Sequence, residues 1–162
     1  MAFIASPRHP LMAQRRLTLA DLEGASLLAR ERGSGTRTTL ERLFKDEAIT
    51  LRIGSELSSN EAIKQMCVAG FGVAFLSLHT CRLELDADLL QLLPLDSNPV
   101  EREWFVLHLA SRQLPQVAVA FEQFLTAQGQ RLIHAQLQTS VAPKPRVAGR
   151  RPRPDRGALV TD

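Results

Sequence analysis

The chain has 162 residues, 44% of them hydrophobic, with two cysteines and a formal net charge of +3. That length sets one domain or two small lobes as the expectation, and the hydrophobic share suffices for a core. With no Tyr and a single Trp, an aromatic stacking platform for single-stranded nucleic acid is excluded.

The charge is unevenly placed. From Gln138 to the end there are six basic residues and two acidic ones, which leaves the preceding body with a net charge of −1. The basic excess therefore says little about the body's partner. In the tail it reads either as a solvated segment or as a nonspecific, salt-dependent contact with nucleic acid.

In chain order, Ala2–Ser6 reads as a strand, Pro7 and Pro10 mark a loop with His9 in its turn, and Thr18–Gly24 forms a short helix. Leu27–Arg30 is an apolar strand that runs into Glu31-Arg32-Gly33-Ser34-Gly35-Thr36-Arg37. A helix follows from Thr36 to about Glu47, its inner face set by Leu40, Leu43 and Phe44 at i, i+3, i+4. Ile49–Gly54 alternates as a strand, and Ser58-Ser59-Asn60-Glu61 reads as a capping box heading the next helix.

In that helix Ile63, Met66, Cys67 and Gly70 share a face, so Cys67 is expected to be a buried, reduced thiol. Gly72–Ser77 is a continuous apolar run, as in a strand covered on both sides. Leu89–Leu95 and Glu103–Leu109 read as further strands, and Pro115 opens a last helix. Val117, Phe121, Phe124 and Leu125 make its inner stripe, with Gly129 as the stop. Beyond Gln138 proline, arginine and alanine dominate without periodicity, which reads as disorder over 138–162.

Strands alternating with helices imply an α/β fold with a largely parallel sheet. Ligands in that class sit at the carboxyl edge of the strands, where the Gly33–Arg37 turn and the Ser58–Glu61 cap both fall. Two readings of the turn are open on the residues alone: a well-capped surface helix, or an anion cradle of backbone N–H groups, hydroxyls and a guanidinium. For Asn60 and Glu61 the choice is between a cap and contacts to effector hydroxyls. Among Arg30, Glu31 and Arg32, one faces the cleft and the others form surface pairs. His79 and His108 read as core or rim residues.

No enzyme is expected. Gly33-Ser34-Gly35 is no nucleophile elbow, and the turn lacks both the Gly-Lys-Ser/Thr ending of a P-loop and the third glycine of a dinucleotide fingerprint. The histidines and cysteines show no metal-ligand spacing, so neither metal nor cofactor is expected. The longest apolar run, Val68–Leu78, is shorter than the roughly 20 residues a membrane span needs, and the first residues do not form a signal peptide. A cytoplasmic location without membrane contact is the expectation.

Several stretches together resemble one family. Phe3-Ile4-Ala5, His9-Pro10-Leu11, Leu17–Leu22, Arg30–Arg37, Ser59–Gln65, Gly70–Ser77 and Arg102-Glu103-Trp104 stand in the order found in LysR-type transcriptional regulators. The run Ser59–Thr80 is most similar to the CbbR branch that governs carbon-fixation operons. The resemblance implies a type 2, periplasmic-binding-protein-like effector domain of two α/β lobes with a small ligand between them.

On that template residues 1–99 form the distal lobe, and 100–137 supply the returning strand and helix of the proximal lobe. The effector-binding residues implied are Glu31, Gly33, Ser34, Gly35, Thr36, Arg37, Asn60 and Glu61. The effector implied is a small anionic metabolite: a phosphorylated sugar, a carboxylate or a nicotinamide nucleotide. The family's DNA-binding arm has no counterpart in the sequence, which reads as an N-terminally truncated form without specific DNA binding of its own. Self-association, or assembly with full-length regulator subunits, is expected. A solute-binding protein of the same fold, a small enzyme acting on a phosphate substrate and a non-functional remnant are the competing readings.

Overall fold

The computed structural model describes residues 1–138; the reading of the tail lies outside them. Among the described residues five strands form one sheet: β1 (Ala2–Ala5), β2 (Leu27–Arg30), β3 (Ile53–Leu57), β4 (Val73–Leu76) and β5 (Gln91–Leu92), in the order β3-β2-β4-β1-β5. The α-helices described there are α1 (Gly35–Asp46), α2 (Asn60–Val68), α3 (Arg82–Asp86) and α4 (Gln116–Gln138).

The sheet is mixed, not largely parallel. β2 is parallel to β3 and β4, as the intervening helices require. β1 is antiparallel to both β4 and β5. Alternation of strands and helices constrains only the strands that helices connect, and β1 and β5 lie outside those units.

Alternate side chains of the strands feed two cores. Phe3, Ala5, Leu27, Ala29, Val73 and Phe75 face α1 and meet its Leu40 and Phe44. Ala2, Ile4, Leu28, Ala74 and Leu76 face the other way, onto Ile63 and Cys67 of α2 and Leu85 of α3. The period of two along each strand thus makes one sheet serve both layers. Phe3 anchors the first core, with Phe75 at 4.7 Å and Phe44 edge-on at 6.4 Å between ring centroids. Every residue of β4 is buried, as its unbroken apolar run requires.

Local signals set most boundaries. Ser34 caps α1 by accepting from the Thr36 amide. Gly24 and Gly70 take positive φ where chain segments end. The Thr18 turn is a 3-10 helix at Leu19–Leu22 rather than an α-helix, held by Asp21, whose carboxylate accepts from the Thr18 amide and hydroxyl. His9 caps the turn that follows β1.

Four further expectations need correction. The strand placed at Ile49–Gly54 starts at Ile53 and runs to Leu57, because Ile49 and Leu51 pack beneath the first core in a loop. The cap of α2 is Ser59, not Ser58; its hydroxyl accepts from the Ala62 amide, and Glu61 turns instead to Lys64 and Gln65. The strand at Leu89–Leu95 shrinks to two residues, although Leu90, Leu93 and Leu95 are buried as its apolar pattern demands.

The fourth concerns the segment after Pro99. Residues 103–109 form no strand, and Trp104 (77% exposed), Phe105 (71%) and Leu107 (87%) lie open to solvent. The last helix continues through Gly129 to Gln138, with Val117, Phe121 and Phe124 exposed. Their spacing is helical as read, but of the four stripe residues only Leu125 is half-buried.

Candidate functional site

Because β2, β3 and β4 are parallel, their carboxyl ends share one edge. From it spring α1 after β2, α2 after β3 and the 3-10 turn Leu78–Cys81 after β4. β1 runs the opposite way, so Ala2 pairs with Leu76 at this same edge. The start of the chain and the segment stitched to it therefore lie there too.

The turn between β2 and α1 is built by Gly33 at φ +91°, a conformation that lets the chain reverse. The Ser34 amide bonds back to the Glu31 carbonyl, and the Thr38 amide and hydroxyl both reach the Ser34 carbonyl. The amides of Gly35 and Arg37, like any in a first turn, have no intrahelical acceptor. Ser34 and Thr36 are half-buried and Gly35 is exposed, so the turn is open rather than packed over.

Arg30 ties this helix start to the next. Its Nη1 donates to Oδ1 of Asn60 at 2.7 Å, while Nε and Nη2 donate to the two oxygens of Glu31 at 2.7 and 2.9 Å. That fork holds the Arg30 guanidinium above the usual arginine range and the Glu31 carboxyl below the usual carboxylate range. The Glu31 amide also donates to the Leu57 carbonyl, joining the two loops through backbone. Glu31, Gly33, Ser34, Gly35, Thr36, Asn60 and Glu61 thus lie along one rim.

Arg37 occupies a different position. Its side chain is 7% exposed, with Nε on Glu41 at 2.7 Å and Nη1 on Glu56 at 3.2 Å and on the Arg30 carbonyl at 3.3 Å. Its Nε and Nη1 are held by two carboxylates and a carbonyl, so the guanidinium braces the rim from behind. Glu61 is exposed, and its bonds from Lys64 and Gln65 hold its carboxyl below the usual range. Burial works to lower the Lys64 ammonium, but its bonds to Glu61 and to Glu84, both 2.8 Å, outweigh that and raise it.

One residue has a role that no local sequence signal announces. Arg102 places Nη1 2.9 Å from Oγ1 of Thr39 and 3.2 Å from the Gly35 carbonyl, alongside the first turn of α1. A groove there is lined by Gly35, Thr38, Arg42, Glu101, Arg102 and Phe105. No local pattern announces a contact between residues 67 apart in the chain. Arg102 stood only within a stretch that resembles the family. Histidine plays a smaller part: His79 sits after β4 with Nδ1 3.4 Å from the Ser77 hydroxyl, and His108 is exposed. Among the described residues no cluster of His, Cys, Asp or Glu is placed to hold a metal ion, and no helix is long and apolar enough to cross a membrane.

The LysR substrate binding domain model matches residues 1–130. The chain belongs to that family.

Its curated relatives include the RuBisCO operon transcriptional regulator of Allochromatium vinosum, 36% identical over 132 residues. Another is the HTH-type transcriptional regulator CfxR of Cupriavidus necator, 42% identical over 122 residues. The alignments cover 82% and 75% of this chain but only 44% and 38% of those proteins. Among solved structures, the CcmR regulatory domain of Synechocystis PCC6803 in complex with 2-PG superposes with a TM-score of 0.71. It is 36% identical, and the match covers 78% of this chain and 61% of that one. The fold is accordingly that of a LysR effector domain, of the type 2 periplasmic-binding-protein-like class. Its relatives also include regulators of the CbbR type, such as that of Rhodospirillum rubrum, 39% identical over 127 residues.

Proposed function

We propose that this chain is the effector-sensing part of a transcriptional regulator, with a small phosphorylated or carboxylated anion held by the Gly33–Thr36 turn and the start of α2. The observation that supports this most is the Arg30–Asn60 bond, which ties two helix starts to one open rim. First-turn amides, the hydroxyls of Ser34 and Thr36, and the side chains of Asn60 and Arg30 then offer donors to the anion. Arg37 acts by bracing the turn. Glu31 and Glu61 accept from effector hydroxyls.

In this reading residues 1–99 are the distal lobe and 100–137 the returning part of the proximal one. The effector would close the rim against an opposing wall and shift the population of lobe arrangements, which assembled regulator subunits transmit to DNA in the cytoplasm. The chain's own task is binding rather than catalysis or sequence-specific DNA contact.

A 2-phosphoglycolate complex is known for the similar CcmR domain, so that anion is the first probe. Calorimetric titration of the full chain should give saturable binding, weakened about tenfold by Ser34→Ala or Asn60→Ala, each of which removes a polar contact of about 1.4 kcal/mol. Arg8→Ala, an exposed arginine beyond the far end of β1, should leave it unchanged. Equal loss in all three variants, or none in the first two, contradicts the assignment.

A further inference from the structure

We propose that Arg102 is a positioning residue that straps the segment leaving the lobe to the first turn of α1, so that occupancy of the Gly33–Thr36 turn is felt at residues 100–103. The inference rests on the effector reading above and adds to it the route by which binding leaves the site.

Three observations carry it. The first is a closed set of contacts: Arg102 donates to the Gly35 carbonyl and to Oγ1 of Thr39, and the Thr39 hydroxyl donates to the same carbonyl at 2.9 Å. Gly35 thus presents its N–H toward the proposed anion side and its carbonyl to the strap. The second is the anchoring of the segment just before Arg102. Met1 and Val100 exchange backbone bonds of 2.6 and 2.7 Å, and the Asn98 amide side chain bonds to the carbonyls of Phe3 and Leu93. Residues 98–100 are therefore fixed to the sheet, and Arg102 is the contact that carries this segment on to α1.

The third is the charge. The first turn of α1 contains no acidic residue, and among the described residues Arg102 forms no ion pair. Glu101 and Glu103 line the same groove without pairing with Arg102, and a cation beside a helix amino end draws an anion to that end. Binding an anion there relieves the repulsion between the cation and the helix end and tightens further the contacts that Arg102 already makes at 2.9 and 3.2 Å. The direction of coupling follows: anion on, strap tight.

The test is amide hydrogen exchange on the full chain, wild type against Arg102→Ala, Arg102→Lys and Thr39→Val, with and without 2-phosphoglycolate. Arg102 is exposed, so its removal leaves the cores intact. Without ligand, Arg102→Ala should speed exchange at the Val100 amide, which donates to the Met1 carbonyl, with Thr39→Val intermediate and Arg102→Lys close to wild type. With ligand, wild type should gain protection at 34–39 and at 100–103. Arg102→Ala should keep the first and lose the second, binding about three- to tenfold more weakly for want of one charge-assisted contact. No difference between the unliganded proteins overturns the strap, whatever the ligand does. Equal ligand protection at 100–103 in wild type and Arg102→Ala overturns it while the effector reading stands. Absence of any ligand effect in wild type counts against 2-phosphoglycolate as effector and leaves the unliganded comparison to judge the strap.

Discussion

Arg30 and Asn60, thirty residues apart, meet at 2.7 Å across the carboxyl ends of two neighbouring parallel strands. The bond is part-buried, so losing it should cost about 1 kcal/mol. Asn60→Ala and Asn60→Asp separate stability from binding. The alanine should lower the unfolding free energy by about 1 kcal/mol. The aspartate, in the first turn of α2 and beside a guanidinium, should hold or raise it by about 0.5 kcal/mol. Both should weaken anion binding, the aspartate more because it repels the ligand. Chemical denaturation and calorimetry on the same preparations check this.

Gly33 and Gly35 have opposite requirements although they flank the same serine. Gly33 stands at φ +91° with open space where a Cβ would go, so Gly33→Ala suffers only the backbone penalty, about 1–2 kcal/mol. At Gly35 a Cβ would meet Nη1 of Arg102 at 3.8 Å, an ordinary contact. Gly35→Ala should therefore be neutral, or stabilising by about 0.5 kcal/mol through the unfolded chain. Thermal unfolding midpoints should move in opposite directions, or one down and one not at all.

Lys64 and Glu84 form a buried pair, each side chain about 10% exposed, and among the described residues Oε2 of Glu84 has no hydrogen-bond partner. Lys64→Met strands the carboxylate and should cost about 3–5 kcal/mol. In the double variant Lys64→Met/Glu84→Leu most of that loss should be recovered, since no buried charge is left. A double-mutant cycle by urea unfolding measures the coupling.

Burial pushes the thiols of Cys67 and Cys81 up to about 11 from an ordinary 9.0. The protonated thiol is the folded-state form, so stability from this source is complete below pH 9 and declines as pH rises from 9 through 11. The full decline is about 3 kcal/mol per thiol at most. A thiol-specific reagent at pH 8 should leave both unmodified in the folded chain and label both in urea. Denaturation at pH 8 and pH 10.5 should show the loss, and Cys67→Ala should reduce its slope with pH.

How much of this could be read from the residues depended on how local each signal is. Ser34 and Gly33 act on their immediate neighbours, so the turn and the head of α1 were legible. Ser58 and Ser59 compete for one cap, and Ser59 wins because β3 runs on to Leu57, a boundary set by pairing with β2 rather than by composition. Whether Trp104–Leu109 pairs at all depends on a neighbouring strand, which alternation in one segment cannot supply. The sequence sets Arg37 on the turn, but its pairing with Glu41 and Glu56 depends on packing between α1 and β3. The Arg102 contacts were invisible for the same reason: they join segments that only the sheet order brings together.

The most direct test of the central claim is a nitrogen-15 NMR titration of the full chain with 2-phosphoglycolate. The account predicts saturable shifts at the amides of Gly35, Thr36, Asn60 and Glu61, with one dissociation constant for both helix starts. Shifts confined to α4 or to other sites away from that rim, or none at millimolar ligand, would contradict it.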